Sequence, residues 1–332
     1  MNLYKLIRPV IFSIDPETDH HLVSFLLKLF NKNPQVIRNI VASEKNNTEV
    51  AGIKFDSPIG IAAGFDKNGQ FYNSLGALGA GFVEIGSVTR RKQAGNPKKR
   101  IFRLAQDEAI INRMGLNNDG LKTVVKRLKK VAPTTKIGLS IATNHDTPEE
   151  EMVSQIIEDI KYSQNYCDYV AINMSCPNQE GIMKLQSKEN ISKLTWALEK
   201  YDFSVSIFCK LGHDLSEQEL VNICSQLTNK VTGVILTNTS NSRENLTSKN
   251  KFEHGGLSGR TLFSKSLKLT KLIHQKFPDK KIIFSGGVFS ESEAELALKN
   301  GADLVQLYTG IIYEGPFLIR KINKYLYESK VK

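Results

Sequence analysis

Cysteine is scarce in this chain: four in 332 residues, at positions 167, 176, 209 and 224. So few thiols cannot build a disulfide framework, and their spacing fits no zinc knuckle. A reducing, cytosolic setting suits them. Long apolar runs are missing too, since no stretch approaches the ~20 residues that cross a bilayer. The first apolar patch is followed by Asp15, Glu17 and Asp19 without a small-residue cleavage site, which excludes a secretory signal. The 23 glycines and 10 prolines follow no period, so the chain is neither collagen-like nor dominated by linkers. Acid is in deficit: 34 Asp and Glu stand against 45 Lys and Arg, a net charge of +11. That balance fits an anionic partner (nucleic acid, a membrane surface or a phosphate-bearing ligand) or simply a lysine-rich solvated surface. The densest basic run, Arg90-Arg91-Lys92 with Lys98-Lys99-Arg100, lacks the interleaved aromatics of a single-strand groove. The one tryptophan, Trp196, falls in a helical stretch and is given no role. Cys167 and Cys224, in helix-like segments, and Cys209, on a strand, read as packing residues.

What is present begins with two apolar segments at the N-terminus. Leu3, Tyr4, Leu6, Ile7, Val10, Ile11 and Phe12 are broken only by Lys5, Arg8 and Pro9. A second run, from Leu22 to Phe30, is opened by Asp15 as N-cap with Pro16 at the first helical position. Pro9 should kink the first helix or begin it. The pair reads either as helices packed on the main core or as a hairpin dipping into a membrane interface, with Lys5, Arg8 and Lys28 toward anionic headgroups. The polar stretch 32–50 reads as a connection.

Beyond residue 50, short β-branched runs alternate with helically spaced segments. The runs are Ile59–Ala63, Phe82–Ile85, Ile137–Ile141, Tyr169–Ile172, Ser206–Lys210, Val234–Thr237, Lys281–Ser285 and Leu304–Tyr308. Clear amphipathic helices lie at Glu149–Gln164, Glu217–Leu227, Leu262–Lys276 and Ser290–Asn300. Eight such units predict an α/β fold, a (β/α)8 TIM barrel with an N-terminal two-helix extension. The alternative, an open doubly wound sheet, wants a glycine-rich turn after its first strand; Ala62-Ala63-Gly64-Phe65-Asp66-Lys67 is no GxGxxG.

Chemistry in a barrel gathers where strands end. Those positions hold Gly64 and Lys67, Ser87, Ser140 and Asn144, Asn173, Cys176 and Asn178, Lys210, Thr237-Asn238-Thr239, Gly286-Gly287 and Tyr308-Thr309-Gly310. Neither a carboxylate pair nor a histidine cluster is among them, which argues against metal-dependent and glycoside hydrolysis. The set instead suits a flat, multiply hydrogen-bonded anionic ligand. Glycines after the seventh and eighth strands suit a phosphate. A flavin mononucleotide satisfies both.

These segments resemble the dihydroorotate dehydrogenases of the membrane-associated, quinone-reducing class. The resemblance runs nearly end to end, through DPETDH (15–20), SPIGIAAGFDKNG (57–69), GFVEIGSVT (81–89), GNPKKRIFRL (95–104) and INRMGLNNDG (111–120). It continues through AINMSCPN (171–178), CKLGHDLSE (209–217), GVILTNTS (233–240), GGLSGRTL (255–262) and GADLVQLYTG (301–310). It implies an FMN-containing barrel that oxidises dihydroorotate to orotate in pyrimidine biosynthesis. It divides the chain into a membrane and quinone-tunnel extension, 1–40, and a catalytic barrel, 41–332. It implies Cys176 as the base that takes the C5 proton, with hydride passing from C6 to the flavin. Lys67 would pair with the substrate carboxylate, and Asn112, Arg113, Met114, Gly115, Leu116, Asn173, Asn178, Asn238 and Thr239 would hold the substrate. Ala63, Gly64, Phe65, Asp66, Lys67, Ser87, Ser140, Asn173, Lys210, Thr237, Gly259, Gly287, Tyr308 and Thr309 would form the FMN site. His20, Arg103 and Tyr308 would line a tunnel for ubiquinone or menaquinone. No metal is implied.

The sequence departs from that class in three places. Cysteine stands where the quinone-dependent enzymes usually carry serine, a feature of the soluble classes whose acceptors are fumarate or NAD. The N-terminal hairpin, which those classes lack, favours quinone. Ser140 occupies a position commonly held by an FMN-contacting asparagine, and Gly212-His213 follows the strand-five lysine. Two rivals remain open. A flavin barrel that reduces uridines in transfer RNA would need an RNA-binding helical domain, and only a short stretch follows Gly310. A basic scaffold without activity would have no need of Lys67, Cys176 and Lys210 together. The expected setting is a peripheral protein, monomeric or weakly self-associating, on the cytoplasmic side of a bacterial-type inner membrane, without nucleic acid.

Overall fold

A computed structural model describes residues 3–175 and 180–331. Its centre is a closed barrel of eight strands: β1 (Ile59–Ile61), β2 (Phe82–Val88), β3 (Lys136–Ile141), β4 (Tyr169–Asn173), β5 (Ser206–Leu211), β6 (Gly233–Leu236), β7 (Lys281–Ser285) and β8 (Leu304–Leu307). Every pair of neighbours is parallel, and β8 returns to β1. All eight are the runs expected from sequence, because a strand covered on both faces reads as uninterrupted apolar, β-branched chain. The four expected helices form at Glu149–Ser163, Glu217–Gln226, Phe263–Lys276 and Glu291–Lys299.

The lumen is filled rather than open. Phe82, Tyr169 and Phe208 stack edge to face inside it, and Gly138 leaves room for the Tyr169 ring, which a Cβ there would meet at 2.1 Å. A two-stranded hairpin, Thr48–Val50 and Ile53–Phe55, packs against this cluster, with Phe55 5.5 Å from Phe82. Its turn uses positive φ at both Ala51 (51°) and Gly52 (77°), the geometry that suits a two-residue hairpin. The opposite end carries an antiparallel sheet of Ile101–Leu104, Ala109–Asn112 and Gly256–Gly259.

Three helices precede the barrel: α1 (Leu3–Ser13), α2 (Pro16–Phe30) and α3 (Gln35–Val41). The third corrects the reading of 32–50 as a plain connection; its short run, Val36-Ile37-Ile40-Val41, buries only Val41 and so carries a weak periodic signal. Asp15 does cap α2, accepting from the Thr18 N–H at 3.0 Å, with Pro16 at the first position. Pro9 lies inside α1 rather than beginning it. The tyrosine hydroxyl of Tyr4 bonds the Ile312 carbonyl at 2.7 Å, and Ser74 bonds the Leu27 carbonyl at 2.6 Å, which seats α1 and α2 on the barrel. Arg8 turns inward, donating to the Tyr313 carbonyl at 2.9 Å, and Lys5 pairs with Glu314 at 2.8 Å. Both cations therefore have protein partners, Arg8 half-buried and Lys5 still exposed. The outer faces stay apolar: Leu6, Val10, Leu22, Phe25, Leu26, Leu29 and Ile40 are each about half or more exposed, Val10 reaching 69%. No helix among the described residues is long and apolar enough to cross a membrane. Cys167 follows a short turn, 164–166, in extended backbone and not in a helix.

Candidate active site

One cavity opens at the C-terminal ends of the strands, roofed by the small antiparallel sheet. From the strand ends come Ala63, Gly64, Lys67, Ser87, Asn173, Lys210, Thr237, Asn238, Thr239, Gly287, Tyr308 and Thr309; from the roof come Asn112, Met114, Gly115, Leu116 and Gly259. Seventeen expected positions thus share one space. Cys176 and Asn178 lie outside the described residues.

Four of the residues expected at the substrate and FMN sites do not line the cavity. Arg113 points outward, ion-paired with Glu253 at 2.8 Å and lying over the Phe102 ring at 4.4 Å. Asp66 is fully buried and accepts from the N–H groups of Asn68, Gln70 and Phe71, so it folds the loop that carries Lys67. Burial raises its pKa against the pull of those bonds. Phe65 packs on Tyr308, ring centres 4.9 Å apart. Ser140 sits one layer back, its hydroxyl 2.7 Å from that of Ser87.

Hydrogen bonds lock the polar wall. Asn173 Nδ2 donates to Ser87 Oγ at 2.9 Å, and Asn238 Nδ2 donates to Asn173 Oδ1 at 3.2 Å and to the Ser175 carbonyl at 3.1 Å. Ser175 Oγ in turn donates to the Lys210 carbonyl at 3.1 Å. Ser87, Asn173 and Asn238, which line the cavity, are thus tied to one another and, through Ser175 behind them, to the backbone of β5, a preorganised arrangement. Lys67 Nζ donates to the Gly64 carbonyl at 2.8 Å. Burial, and next the nearby Arg100 charge, push its pKa down to about 8. Behind Thr237 stands buried His213, its Nδ1 2.9 Å from the threonine hydroxyl; burial lowers this imidazole to about 4, so it is neutral.

At the glycine-rich side, Gly287 has φ 71°, and a Cβ would come within 2.8 Å of the Gly259 carbonyl oxygen and the Phe263 nitrogen. Only glycine fits that turn, which presents its backbone to the cavity. Thr309 Oγ1 donates to Ser258 at 2.9 Å at the start of the helix Thr309–Glu314.

His20, Arg103 and Tyr308 do not form a single contact set. Phe65 links two of them, lying 6.4 Å from His20 and 4.9 Å from Tyr308. Burial, then the charge of Lys67, drives His20 down to about 3, and burial drives Tyr308 up to about 12, so both are neutral. Arg103 lies over Phe12 at 4.6 Å, donates to the Ile14 carbonyl at 2.7 Å and pairs with Asp19, tying the α1–α2 corner to the roof sheet.

Sequence reading missed the floor. Glu84 of β2 is fully buried and ion-paired with Lys210 at 3.4 Å; it also accepts from the Tyr169 hydroxyl and from Gln306. The available signal was a polar residue at the centre of an apolar strand, in FVEI (82–85) and LVQL (304–307). Among the described residues no cluster of His, Cys, Asp and Glu could hold a metal.

The sequence model of the family described as dihydroorotate dehydrogenase matches residues 46–329. The curated proteins named dihydroorotate dehydrogenase (quinone) from Christiangramia forsetii and Idiomarina loihiensis are 41% and 40% identical, each across 98% of this chain, and are covered over 99% and 100% of their own lengths. Among solved structures, DHODH from Eimeria tenella in complex with ferulenol superposes with a TM-score of 0.84 at 32% identity, covering 96% of this chain and 93% of that one. Its ligand-free form gives 0.80 over 89% of this chain and 94% of that one, at 32% identity.

Proposed function

The chain belongs to the dihydroorotate dehydrogenase family, and from that premise we propose that the barrel-mouth cavity is where dihydroorotate is oxidised. The protein is a quinone-dependent oxidoreductase of pyrimidine biosynthesis with FMN as its cofactor. The observation that carries the site assignment is the convergence of Lys67, Asn112, Asn173, Lys210 and Asn238 on one cavity.

The residues fit FMN. A wall of amides and hydroxyls suits its flat polar ring, Gln306 offers a buried carbonyl oxygen with no partner among the described residues, and the backbone at Gly286–Gly287 and Thr309–Gly310 suits its phosphate. Ala63, Gly64, Ser87, Thr237, Gly259 and Tyr308 complete the cradle, with Phe65, Asp66 and Ser140 supporting it from behind. The chemistry that FMN would supply there, when bound, is that of an acceptor for the hydride at C6 of dihydroorotate and of an electron donor to quinone.

The chain's own groups do the rest. Lys67, charged at neutral pH, holds the substrate carboxylate. Asn112, Asn173, Asn178, Asn238 and Thr239 hold the pyrimidine amides, and Met114 to Leu116 close over the ring to exclude water. Cys176 removes the C5 proton as thiolate; a thiol titrates near ~8.5, far more accessible than an alcohol. Residues 1–40 serve as the membrane and quinone extension and 41–332 as the catalytic unit. Quinone, ubiquinone or menaquinone, reaches the cavity past His20, Phe65 and Tyr308, with Arg103 holding the entry corner. The apolar faces of α1 and α2 rest on the cytoplasmic surface of the membrane, and orotate leaves on the aqueous side.

A steady-state assay with three acceptors tests this reading. Dihydroorotate should reduce a short-chain ubiquinone analogue rapidly, and fumarate and NAD slowly or not at all. Preference for fumarate or NAD would overturn the quinone route while leaving the substrate site in place.

A further inference from the structure

This inference rests on FMN binding in the cavity. Glu84 is 0% exposed inside the barrel, and groups from three other strands converge on its carboxylate. Lys210 Nζ of β5 lies 3.4 Å from Oε1. The Tyr169 hydroxyl of β4 donates to Oε2 at 3.0 Å, and Gln306 Nε2 of β8 donates to it at 2.6 Å. Of these four residues, only Lys210 and Gln306 line the cavity.

The chemistry of the carboxylate fixes what Gln306 presents. An ionised carboxylate only accepts, so the amide nitrogen must face Glu84. The carbonyl oxygen is left buried without a partner among the described residues, in a side chain that is 2% exposed and borders the cavity. A buried polar atom left unpaired is costly, and a ligand hydrogen bond removes that cost. Lys210 spends one donor on Glu84 and keeps two N–H groups beside the same space.

We propose that Glu84 is a positioning residue for the flavin. One oxygen holds Lys210 as a donor, the other holds Gln306 as an acceptor, and both side chains face the bound ring. Its negative charge, 3.4 Å from the ammonium, also cancels much of the Lys210 field that the ring would otherwise feel. Gln306, through its free oxygen, is a ring-contacting residue.

Sulfite reports this field directly, because it adds to the flavin and leaves negative charge on the ring. The test uses the FMN-loaded enzyme at pH 6 and compares wild type with E84Q and E84D. Loss of the carboxylate should tighten sulfite binding at least tenfold, equivalent to about 30 mV in a two-electron couple. E84D, which keeps the charge but draws it back by one methylene, should tighten binding about threefold. If E84Q does not retain FMN, E84D decides alone. Sulfite affinity within twofold of wild type, in either variant carrying a full complement of FMN, would overturn the role of Glu84. Q306M leaves the ion pair intact and should weaken FMN binding three- to tenfold; unchanged FMN affinity would overturn the acceptor role. A wild-type protein that binds no FMN would instead overturn the reading beneath this one.

Discussion

Glu17 of α2 and Arg100, just before the roof sheet, meet in a buried ion pair, Arg100 Nη2 2.7 Å from Glu17 Oε1. Arg100 Nη1 also donates to the carbonyls of Ala94 and Asn96, at 3.1 and 2.9 Å. A helix of the N-terminal extension is thereby fastened to a loop beside the cavity. Burial alone would raise the Glu17 pKa, but the Arg100 hydrogen bonds and charge outweigh it and hold the carboxyl below its ordinary value. E17Q should therefore destabilise the fold by about 3 kcal/mol, the cost of stranding a buried charge. A carboxyl with a depressed folded pKa contributes fully above its unfolded value and loses that contribution as pH falls. The gap between wild type and E17Q in urea unfolding should thus be complete at pH 7 and close below about pH 4.

Lys67 is charged below its value of about 8 and neutral above it. If it binds the substrate carboxylate, kcat/KM for dihydroorotate should fall above about pH 8 in an otherwise rising profile, because that ratio reports groups of the free enzyme. K67M should lower kcat/KM by roughly a hundredfold, the order of a lost charge-assisted contact of ~3 kcal/mol. It should also erase the alkaline fall.

Thiol and alcohol differ in where they yield a base. C176S should slow flavin reduction by dihydroorotate at pH 7 by about a hundredfold, the scale of general-base catalysis, and its rate should still be climbing above pH 9. Stopped-flow bleaching across pH gives both profiles. A C176S profile that overlays wild type would remove Cys176 from the chemistry.

The outer faces of α1 and α2 carry a row of exposed large apolar side chains, the kind of surface that marks an interaction site. Phe25 is 58% and Leu29 60% exposed. F25D/L29D should abolish cosedimentation with anionic lipid vesicles and slow turnover with vesicle-borne quinone at least tenfold, by the loss of buried apolar area and added repulsion. Reduction of the flavin by dihydroorotate should not change, since neither residue lines the cavity.

The barrel was legible because each of its strands is a compact apolar run between turn residues, and the four clear helices because one face of each is buried. The hairpin at 48–55 was not, since its strands are three residues each and its Ala51-Gly52 turn lacks the usual asparagine signal. The roof sheet pairs Gly256–Gly259 with Ala109–Asn112 across the sequence, which no local pattern records. Within the site, residue type announced polarity but not direction. Arg113 is drawn away by Glu253, and Asp66 by three backbone N–H groups, partners that only the fold supplies. Glu84 and Gln306 escaped for the opposite reason, as polar residues inside strands whose neighbours are all apolar.

The most direct measurement is an anaerobic titration of the purified protein with dihydroorotate, followed at the flavin absorbance. One equivalent of dihydroorotate should bleach one equivalent of FMN and release one of orotate, and a short-chain ubiquinone analogue should then restore the colour. Flavin that stays oxidised under excess dihydroorotate would contradict the assignment of this cavity as the site of dihydroorotate oxidation.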